Sequence, residues 1–483
     1  MLDTLETLRP FVVAVLSGVL AVIASGHAIL HKRDTRAAVA WVGVIWLVPV
    51  LGSVLYALLG INRIHRRASD LRKLGLETSP ALRDTFTDWQ IVAHELSPAR
   101  GHLETLSRIV GRVTGRMLVA GNRIKPLVNG DEAYPAMLEA IDGARRSIAL
   151  STYIFDPDDV GQVFARALER AVDRGVEVRV LIDAVGARYS LTSMVGELRK
   201  IGVPVARYMR TLLPWRMPFA NLRNHRKILV VDGAIGFTGG MNIRVGHVLE
   251  KKPKRPVQDL HFRIEGPLVE QLVQMFADDW AFTTKEVLQG EDWYPPVHKV
   301  GPIVARGISD GPGDDLDKLR MTLQGAIAAA RSKITIVTPY FLPDRELIAA
   351  LNIASMRGVQ VIIVLPSVNN HPVVGWASTA LHWQLLERGC RIFLTPPPFD
   401  HTKLMMVDDA WTLLGSANWD PRSLRLNFEF NIECYDEELA ADMERLTALK
   451  LRGAKEVFKT TVDSRSLPVQ LRDGIARLFS PYI

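Results

Sequence analysis

Two stretches of this 483-residue chain repeat one pattern of ionisable side chains, His225-x-Lys227-x4-Asp232 and His401-x-Lys403-x4-Asp408, with their histidines 176 residues apart (401 − 225). An asparagine follows each histidine at the same distance: 242 − 225 and 418 − 401 both give 17, which adds Asn242 and Asn418 to the repeat. Gly239-Gly240 precedes the asparagine in one copy and Gly415-Ser416 in the other. These residue types suit the exchange of one ester oxygen of a phosphodiester for another. A neutral imidazole can attack phosphorus, and a protonated one can hand its proton to the departing alkoxide. The phosphorane-like transition state gathers negative charge on its equatorial oxygens, so fixed cations and amide donors must already surround that place. Lys227, Lys403, Asn242 and Asn418 are groups of that kind. Two matched copies suggest one site assembled from two halves.

The neighbouring residues indicate how these groups are held. Ile228-Leu229-Val230-Val231 and Leu404-Met405-Met406-Val407 are short apolar runs, entered from His-x-Lys and left through aspartate, and each predicts a buried strand. Residues two apart on a strand share a face, which sets each histidine beside its lysine. A second short apolar stretch follows and ends in the Gly240 or Ser416 turn, where backbone amides can approach a phosphate closely. Asp232 and Asp408 stand with the site by spacing. An aspartate closing a strand before a turn more often forms that turn, however, and the turn role is favoured for both.

A wider repeat surrounds the motifs. Gly143 to Phe155 matches Ala329 to Phe341, each a helix end feeding a strand, and Arg174 to Asp183 matches Arg357 to Pro366 in the same way. With helical stretches such as Val160 to Asp173 and Arg345 to Met356 between strands, the pattern predicts an α/β fold of two similar lobes, each a mixed sheet flanked by helices. Residues 123–295 are assigned to the first lobe and 296–483 to the second, with the Gly/Pro/Asp-rich stretch from Gly290 to Asp315 as the boundary region.

The extended second motif runs from His401-Thr402-Lys403 through Gly415-Ser416-Ala417-Asn418-Trp419-Asp420-Pro421-Arg422-Ser423 to Asn427-Phe428-Glu429. Together with Asn224-His225-Arg226-Lys227, Gly239-Gly240-Met241-Asn242 and the closing Leu478-Phe479-Ser480-Pro481, it resembles the phospholipase D superfamily, and within it the bacterial cardiolipin synthases, over nearly the whole chain. The resemblance implies that His225 forms a covalent phosphohistidine and that His401 is first general acid and then base. It implies that Glu429 orients His401 through the other ring nitrogen and that Asp259 does the same for His225. A carboxylate in that position holds the tautomer and stabilises the imidazolium. It further implies that phosphatidylglycerol and cardiolipin are substrate and product. Another lipid phosphatidyltransferase, or a hydrolase releasing phosphatidic acid, would use the same residues. Ile243-Arg244-Val245-Gly246-His247 departs from the acidic, tyrosine-containing stretch many synthases carry there, which bears on the acceptor alcohol.

The N-terminus is of another kind. Pro10 to His31 and Ala37 to Asn62 lack charged side chains, with histidines neutral, and each exceeds the roughly 20 residues of a bilayer crossing, so residues 1–62 predict a transmembrane helical hairpin. Residues 63–122 read as a basic juxtamembrane linker. The cluster Arg63, His65, Arg66, Arg67, Arg72 and Lys73 favours a cytoplasmic catalytic part of a multi-pass protein in the bacterial inner membrane, and it could equally grip anionic headgroups. The net charge of +7 suits nucleic acid or an acidic membrane alike, and the hairpin decides for the membrane, with no nucleic-acid partner. The mixed apolar and basic stretch Tyr208 to Phe219 is a second candidate for the interface. Cys390 and Cys434 form no ligand pattern and no P-loop is present, so no metal, no cofactor and turnover in a chelator are expected. Oligomeric state is left open.

Overall fold

The computed structural model describes residues 2–32, 35–60, 96, 100–188, 193–209, 222–312 and 315–480, in two compact units. The basic run from Arg63 to Lys73 and the segment from Arg210 to Phe219 lie outside the described residues.

In the N-terminal unit, α1 (Leu2–His31) includes an apolar stretch, Phe11–His31, long enough to cross a membrane. The second apolar segment is not one continuous helix. It is split at Val48 into α2 (Thr35–Leu47) and α3 (Pro49–Leu55), followed by a π-helical turn over Tyr56–Gly60. Pro49 has no N–H to continue the α2 ladder, which accounts for the break. The expected two-helix hairpin is therefore only partly seen. The segments still fold back on each other: Ala21, Ala28, Ile45 and Tyr56 form a small core, and His27 Nδ1 lies 2.8 Å from the Tyr56 hydroxyl.

The second unit is built on a 16-stranded sheet whose two halves repeat one order. The first half runs β1 (Val119–Val128), β9 (Leu260–Glu265), β7 (Ile235–Gly239), β6 (Ile228–Val231), β2 (Ser147–Thr152), β3 (Glu177–Asp183) and β4 (Val205–Tyr208). The second runs β10 (Ile303–Asp310), β17 (Asn427–Tyr435), β16 (Trp411–Gly415), β15 (Leu404–Val407), β11 (Lys333–Val337), β12 (Gln360–Pro366) and β13 (Arg391–Thr395), with β18 (Lys455–Val457) added at the edge. In each half the outer strands β2–β3–β4 and β11–β12–β13 are parallel and the others antiparallel. β1 and β10 pair antiparallel through Val119↔Ala305 and Asn122↔Ile303, joining the halves edge to edge.

Helices α5 (Asn129–Gly143), α6 (Asp159–Asp173), α7 (Met194–Lys200) and α8 (Leu268–Thr284) accompany the first half. The second has α9 (Lys318–Ala329), α10 (Arg345–Met356), α11 (Pro372–Thr379), α12 (His382–Leu386), α13 (Pro421–Arg425), α14 (Glu437–Leu451), α15 (Lys459–Asp463) and α16 (Leu467–Leu478). The predicted helices at 160–173 and 345–356 begin where Asp158 and Asp344 accept hydrogen bonds from the backbone N–H of Gly161 and Leu347, as N-caps do.

Two departures from the sequence reading concern the limits of the lobes. The stretch read as linker contains α4 (Leu103–Thr114), whose Leu103, Leu106 and Val110 share a core with Leu319 and Leu323 of α9. The amphipathic spacing of those residues drives the packing, at roughly 1.5–3 kcal/mol per fully buried aliphatic side chain. The boundary region from Gly290 to Asp315 contains β10, a fully buried strand. One core then unites Phe262, Phe276 and Trp280 of the first half with Met406, Phe430 and Met443 of the second, so the lobes do not pack as independent bodies.

Candidate active site

Each histidine follows a short strand that pairs with a strand of the opposite lobe, in the large sheet for His225 and in a separate two-stranded sheet for His401. β5 (Arg223–Asn224) pairs in parallel with Asn427 and Phe428 of β17, and β14 (Phe399–Asp400) pairs in parallel with β8 (Val257–Gln258). The ladders continue one residue further, where His225 N–H donates to Phe428 O at 2.9 Å and His401 N–H donates to Gln258 O at 2.8 Å. The next residues on the accepting chains are Glu429 and Asp259, so each carboxylate arrives beside the histidine of the other lobe.

The side chains complete that exchange. His225 Nδ1 lies 3.0 Å from both carboxylate oxygens of Glu429, and His401 Nδ1 lies 2.8 Å from Asp259 Oδ2. This corrects the assignment read from the sequence, which gave Glu429 to His401 and Asp259 to His225. The carboxylates are counterparts, because Gly239 pairs with His261 and Gly415 with Asn431, placing Asp259 and Glu429 two residues before matched positions. Sequence distance along one lobe cannot reveal that the partner crosses to the other. With both Nδ1 atoms facing carboxylates, each Nε2 is the nitrogen left for chemistry.

The two carboxylates are held differently. Glu429 is fully buried and accepts from Ser416 Oγ at 2.5 Å, Ser423 Oγ at 2.9 Å and Asn427 Nδ2 at 3.2 Å, besides facing His225. Asp259 accepts from the backbone N–H of Leu260 at 2.8 Å and faces His401. Gly240 occupies the position equivalent to Ser416, and a Cβ there would lie 2.3 Å from Asp259 Oδ1. Glycine is thus required by the carboxylate. Gly240→Ala is expected to displace Asp259 and lower turnover by about 10²-fold, in line with small misplacements of catalytic groups. Steady-state rates beside an unchanged melting temperature check this.

Other expected site residues have different places. The Gly240 and Ser416 amides, read as phosphate donors, donate instead to Leu260 O and Phe430 O, so these two residues serve the carboxylates. Asp232 and Asp408, grouped by spacing with the catalytic residues, sit beyond the far ends of β6 and β15. Asp232 accepts from the backbone N–H groups of Arg145, Arg146 and Ser147, and Asp408 from those of Arg331, Ser332 and Lys333. His102 Nε2 adds a 2.6 Å contact to Asp408. Both aspartates have left-handed φ, at 52°, and are turn-formers, as the local sequence favoured.

Lys227 and Lys403 are buried, and each ammonium donates to the carbonyl of its own histidine, Lys227 Nζ to His225 O at 2.6 Å and Lys403 Nζ to His401 O. Asn242 Oδ1 accepts from Ile154 N–H at 3.1 Å, which fixes that amide, and Asn418 is buried at the equivalent position. Tyr153 stands edge-on to His225 at 5.2 Å and Tyr340 edge-on to His401 at 6.2 Å. Beneath the motifs, Arg226 pairs with Asp279 of α8 at 2.5 Å, while Lys450 of α14 pairs with Asp400 at 2.6 Å. Each histidine segment is thus pinned to the equivalent helix by an ion pair of opposite polarity.

A family model described as cardiolipin synthase, PLD-like domain, matches residues 137–280 and 323–448, and one described as phospholipase D-nuclease N-terminal matches residues 19–60. Cardiolipin synthase A of Pseudomonas fluorescens is 32% identical over 468 residues, 96% of each chain. The protein of the same name from Pseudomonas aeruginosa is 33% identical over 469 residues, covering 96% of this chain and 94% of its own. The chain belongs to the cardiolipin synthase family of phospholipase D-like proteins. In fold it is similar to the crystal structure of phosphatidylserine synthase from Haemophilus influenzae, with a TM-score of 0.57 at 17% identity over 74% of this chain and 95% of that one.

The electrostatics of this cardiolipin-synthase-family site follow from burial of like charges. Burial pushes Lys227 down to about 7, with Glu429 opposing and Lys403 adding to the fall, and burial likewise pushes Lys403 down to about 8 against Asp259 and Glu429. Burial lowers His225 while Glu429 resists. Burial together with Lys403, Lys227 and His225 takes His401 well below the usual imidazole range. The geometry behind these shifts is the crossed pairing, each histidine on the other lobe's carboxylate with its own lysine bonded to its carbonyl. Burial raises Asp259, whereas Glu429 is lowered because His225, Lys227 and Ser416 outweigh its burial.

Residues that the sequence reading did not single out for the site are Tyr153, Tyr340, Asp279, Ser423 and His247. The last two carry a legible signal, since 247 − 225 and 423 − 401 both give 22. Ser423 donates to Glu429, and His247, buried with its Nδ1 unpartnered among the described residues, is electrostatically coupled to Asp259 and His401.

Proposed function

We propose that the chain joins two phosphatidylglycerol molecules into cardiolipin and glycerol through a phosphatidyl-histidine. His225 Nε2 attacks phosphorus, the P–O bond to the glycerol headgroup breaks, and His401 supplies the proton that glycerol carries away. His401, now neutral, takes the proton of a hydroxyl on the second phosphatidylglycerol as that oxygen displaces His225. One diester replaces another, so no external energy source enters. The single observation that carries the reading is the pair of histidines, each on a carboxylate from the opposite lobe, around two buried lysines that can face a diester anion. The division of roles is supported by Glu429, held as an anion, which offsets part of the burial that lowers His225, while a diester anion bound beside His401 would favour the imidazolium that must give up the proton.

The protein is membrane-associated by its family and its N-terminal apolar helix. We place both apolar N-terminal segments in the bacterial inner membrane as a multi-pass anchor, with the catalytic part on the cytoplasmic side, on the strength of the basic run from Arg63 to Lys73. The test is labelled phosphatidylglycerol given to the purified full chain in detergent with a chelator and no nucleotide. Labelled cardiolipin with free glycerol is the expected result, and phosphatidic acid as the sole product would overturn it.

The lysines set a pH dependence for binding. A diester anion favours their charged forms, so binding draws protons in wherever the empty site has lost them. Well below pH 7 both are charged and binding takes up no proton, whereas above pH 8 each must first regain one. The affinity for a water-soluble dialkyl phosphate, itself a monoanion throughout, is expected to fall by at least about tenfold between pH 7 and pH 9. Competitive inhibition constants measured across that range check it; a flat profile contradicts the lysine pair as the anion site.

A further inference from the structure

The second half of the sheet carries an addition without a counterpart among the described residues of the first: β18, α15 and α16 follow α14, whereas the chain passes from α8 to β10 with neither helix nor strand. One side of α16 packs on α11. Ala476 and Asp473 are buried there, and the Arg472 guanidinium lies 4.6 Å over the Trp376 ring. The other side is apolar and open. Leu467, Leu471, Ile475 and Leu478, spaced by four, four and three, form one stripe that Phe479 extends, and all five side chains are between 54% and 72% exposed. A contiguous apolar patch of this kind on a folded surface marks an interaction site.

Charge identifies the occupant. The only acid of the helix, Asp473, is turned inward and ion-paired by Arg465 and Arg472, so the stripe is bordered by Arg472, which reaches across to Trp376, and by Arg477, with no exposed carboxylate on the helix. Large aliphatic residues bordered by arginines are the composition of a helix lying in the headgroup region of an anionic bilayer. The same chain carries a membrane-length apolar helix, so a bilayer is at hand. The supporting helix also reaches the site: just before α11, Asn370 accepts from the Tyr340 hydroxyl at 2.7 Å, and Tyr340 stands beside His401. We infer that α16 is a second, peripheral membrane contact, seated by its Leu467–Leu478 stripe on an anionic lipid surface. This does not rest on the exchange chemistry.

Both native cysteines are buried, so a cysteine introduced at Leu471 takes an environment-sensitive fluorophore selectively. In the full chain, held one copy per nanodisc containing phosphatidylglycerol, the Leu471→Cys probe is expected to shift to the blue and to be quenched severalfold by brominated lipid. A probe at Arg166→Cys on α6 should show neither effect. The double variant Leu471→Asp with Ile475→Asp is expected to raise KM for phosphatidylglycerol in vesicles about tenfold, leaving kcat on detergent-dispersed substrate unchanged. Equal emission from the two probes overturns the proposal, as does a blue shift that appears only when two copies share a disc, which would mark a protein interface. Lipid quenching in a protein that makes no cardiolipin would refute the proposed function and leave this contact standing.

Discussion

Alanine at either His225 or His401 will lower cardiolipin formation by at least about 10³-fold, and the two variants will separate on a diester with an aryl leaving group. A positioned acid or base contributes about 10²–10⁴-fold, and loss of the nucleophile removes the covalent route altogether. With phosphatidylglycerol both losses look alike, because glycerol leaves as a poor alkoxide that must be protonated. A nitrophenolate needs no proton. His401→Ala should therefore release nitrophenol from a phosphatidyl nitrophenyl ester in a burst and accumulate the phosphatidyl group on His225, while His225→Ala should give no burst. Because the residues act as a unit, the double variant should be little worse than either single one. Trapping the adduct and mapping it by mass spectrometry decides the matter, and a label on His401 would reverse the assigned roles.

Much of this site could be read from residue spacing, and the limit of that reading has a physical reason. The offset of 17 between histidine and asparagine recurs because each motif is one strand–turn–strand unit, whose geometry is local and hence encoded in consecutive residues. The order of strands in the half-sheets follows from the same local repeat. What escaped is non-local. β5 pairs with β17 and β14 with β8 only because the half-sheets join at β1 and β10 and share a core across that join. No spacing within one lobe records that a carboxylate 204 residues from His225 lies closer to it than the one 34 residues away (259 − 225). Glycine misled in a related manner: Gly240 suggested room for a phosphate, whereas the room is taken by Asp259. The apolar segment from Ala37 to Asn62 was long enough by composition, but hydropathy does not register the donor missing at Pro49.

The exchange of carboxylates can be measured on the histidines themselves. Removing a carboxylate's charge destabilises the neighbouring imidazolium, so that histidine's pKa must fall. Glu429→Gln is expected to lower the pKa of His225 and leave His401 almost where it was, and Asp259→Asn is expected to act on His401 instead. Histidine-selective NMR titration of the full chain in detergent reads both. The rates should differ as well, because the partners are unequal. Glu429 is kept anionic by Ser416, Ser423 and Asn427, so its loss withdraws a full charge and is expected to slow exchange by about 10²–10⁴-fold, the scale seen when the orienting carboxylate of a histidine is made an amide. Asp259 is held by one backbone N–H where Glu429 has three side-chain donors, so its amide variant disturbs a less extensive network and should lose less. A titration in which Glu429→Gln moves His401 would place the carboxylates within their own lobes, and the shared-lobe construction of the site would fail with it.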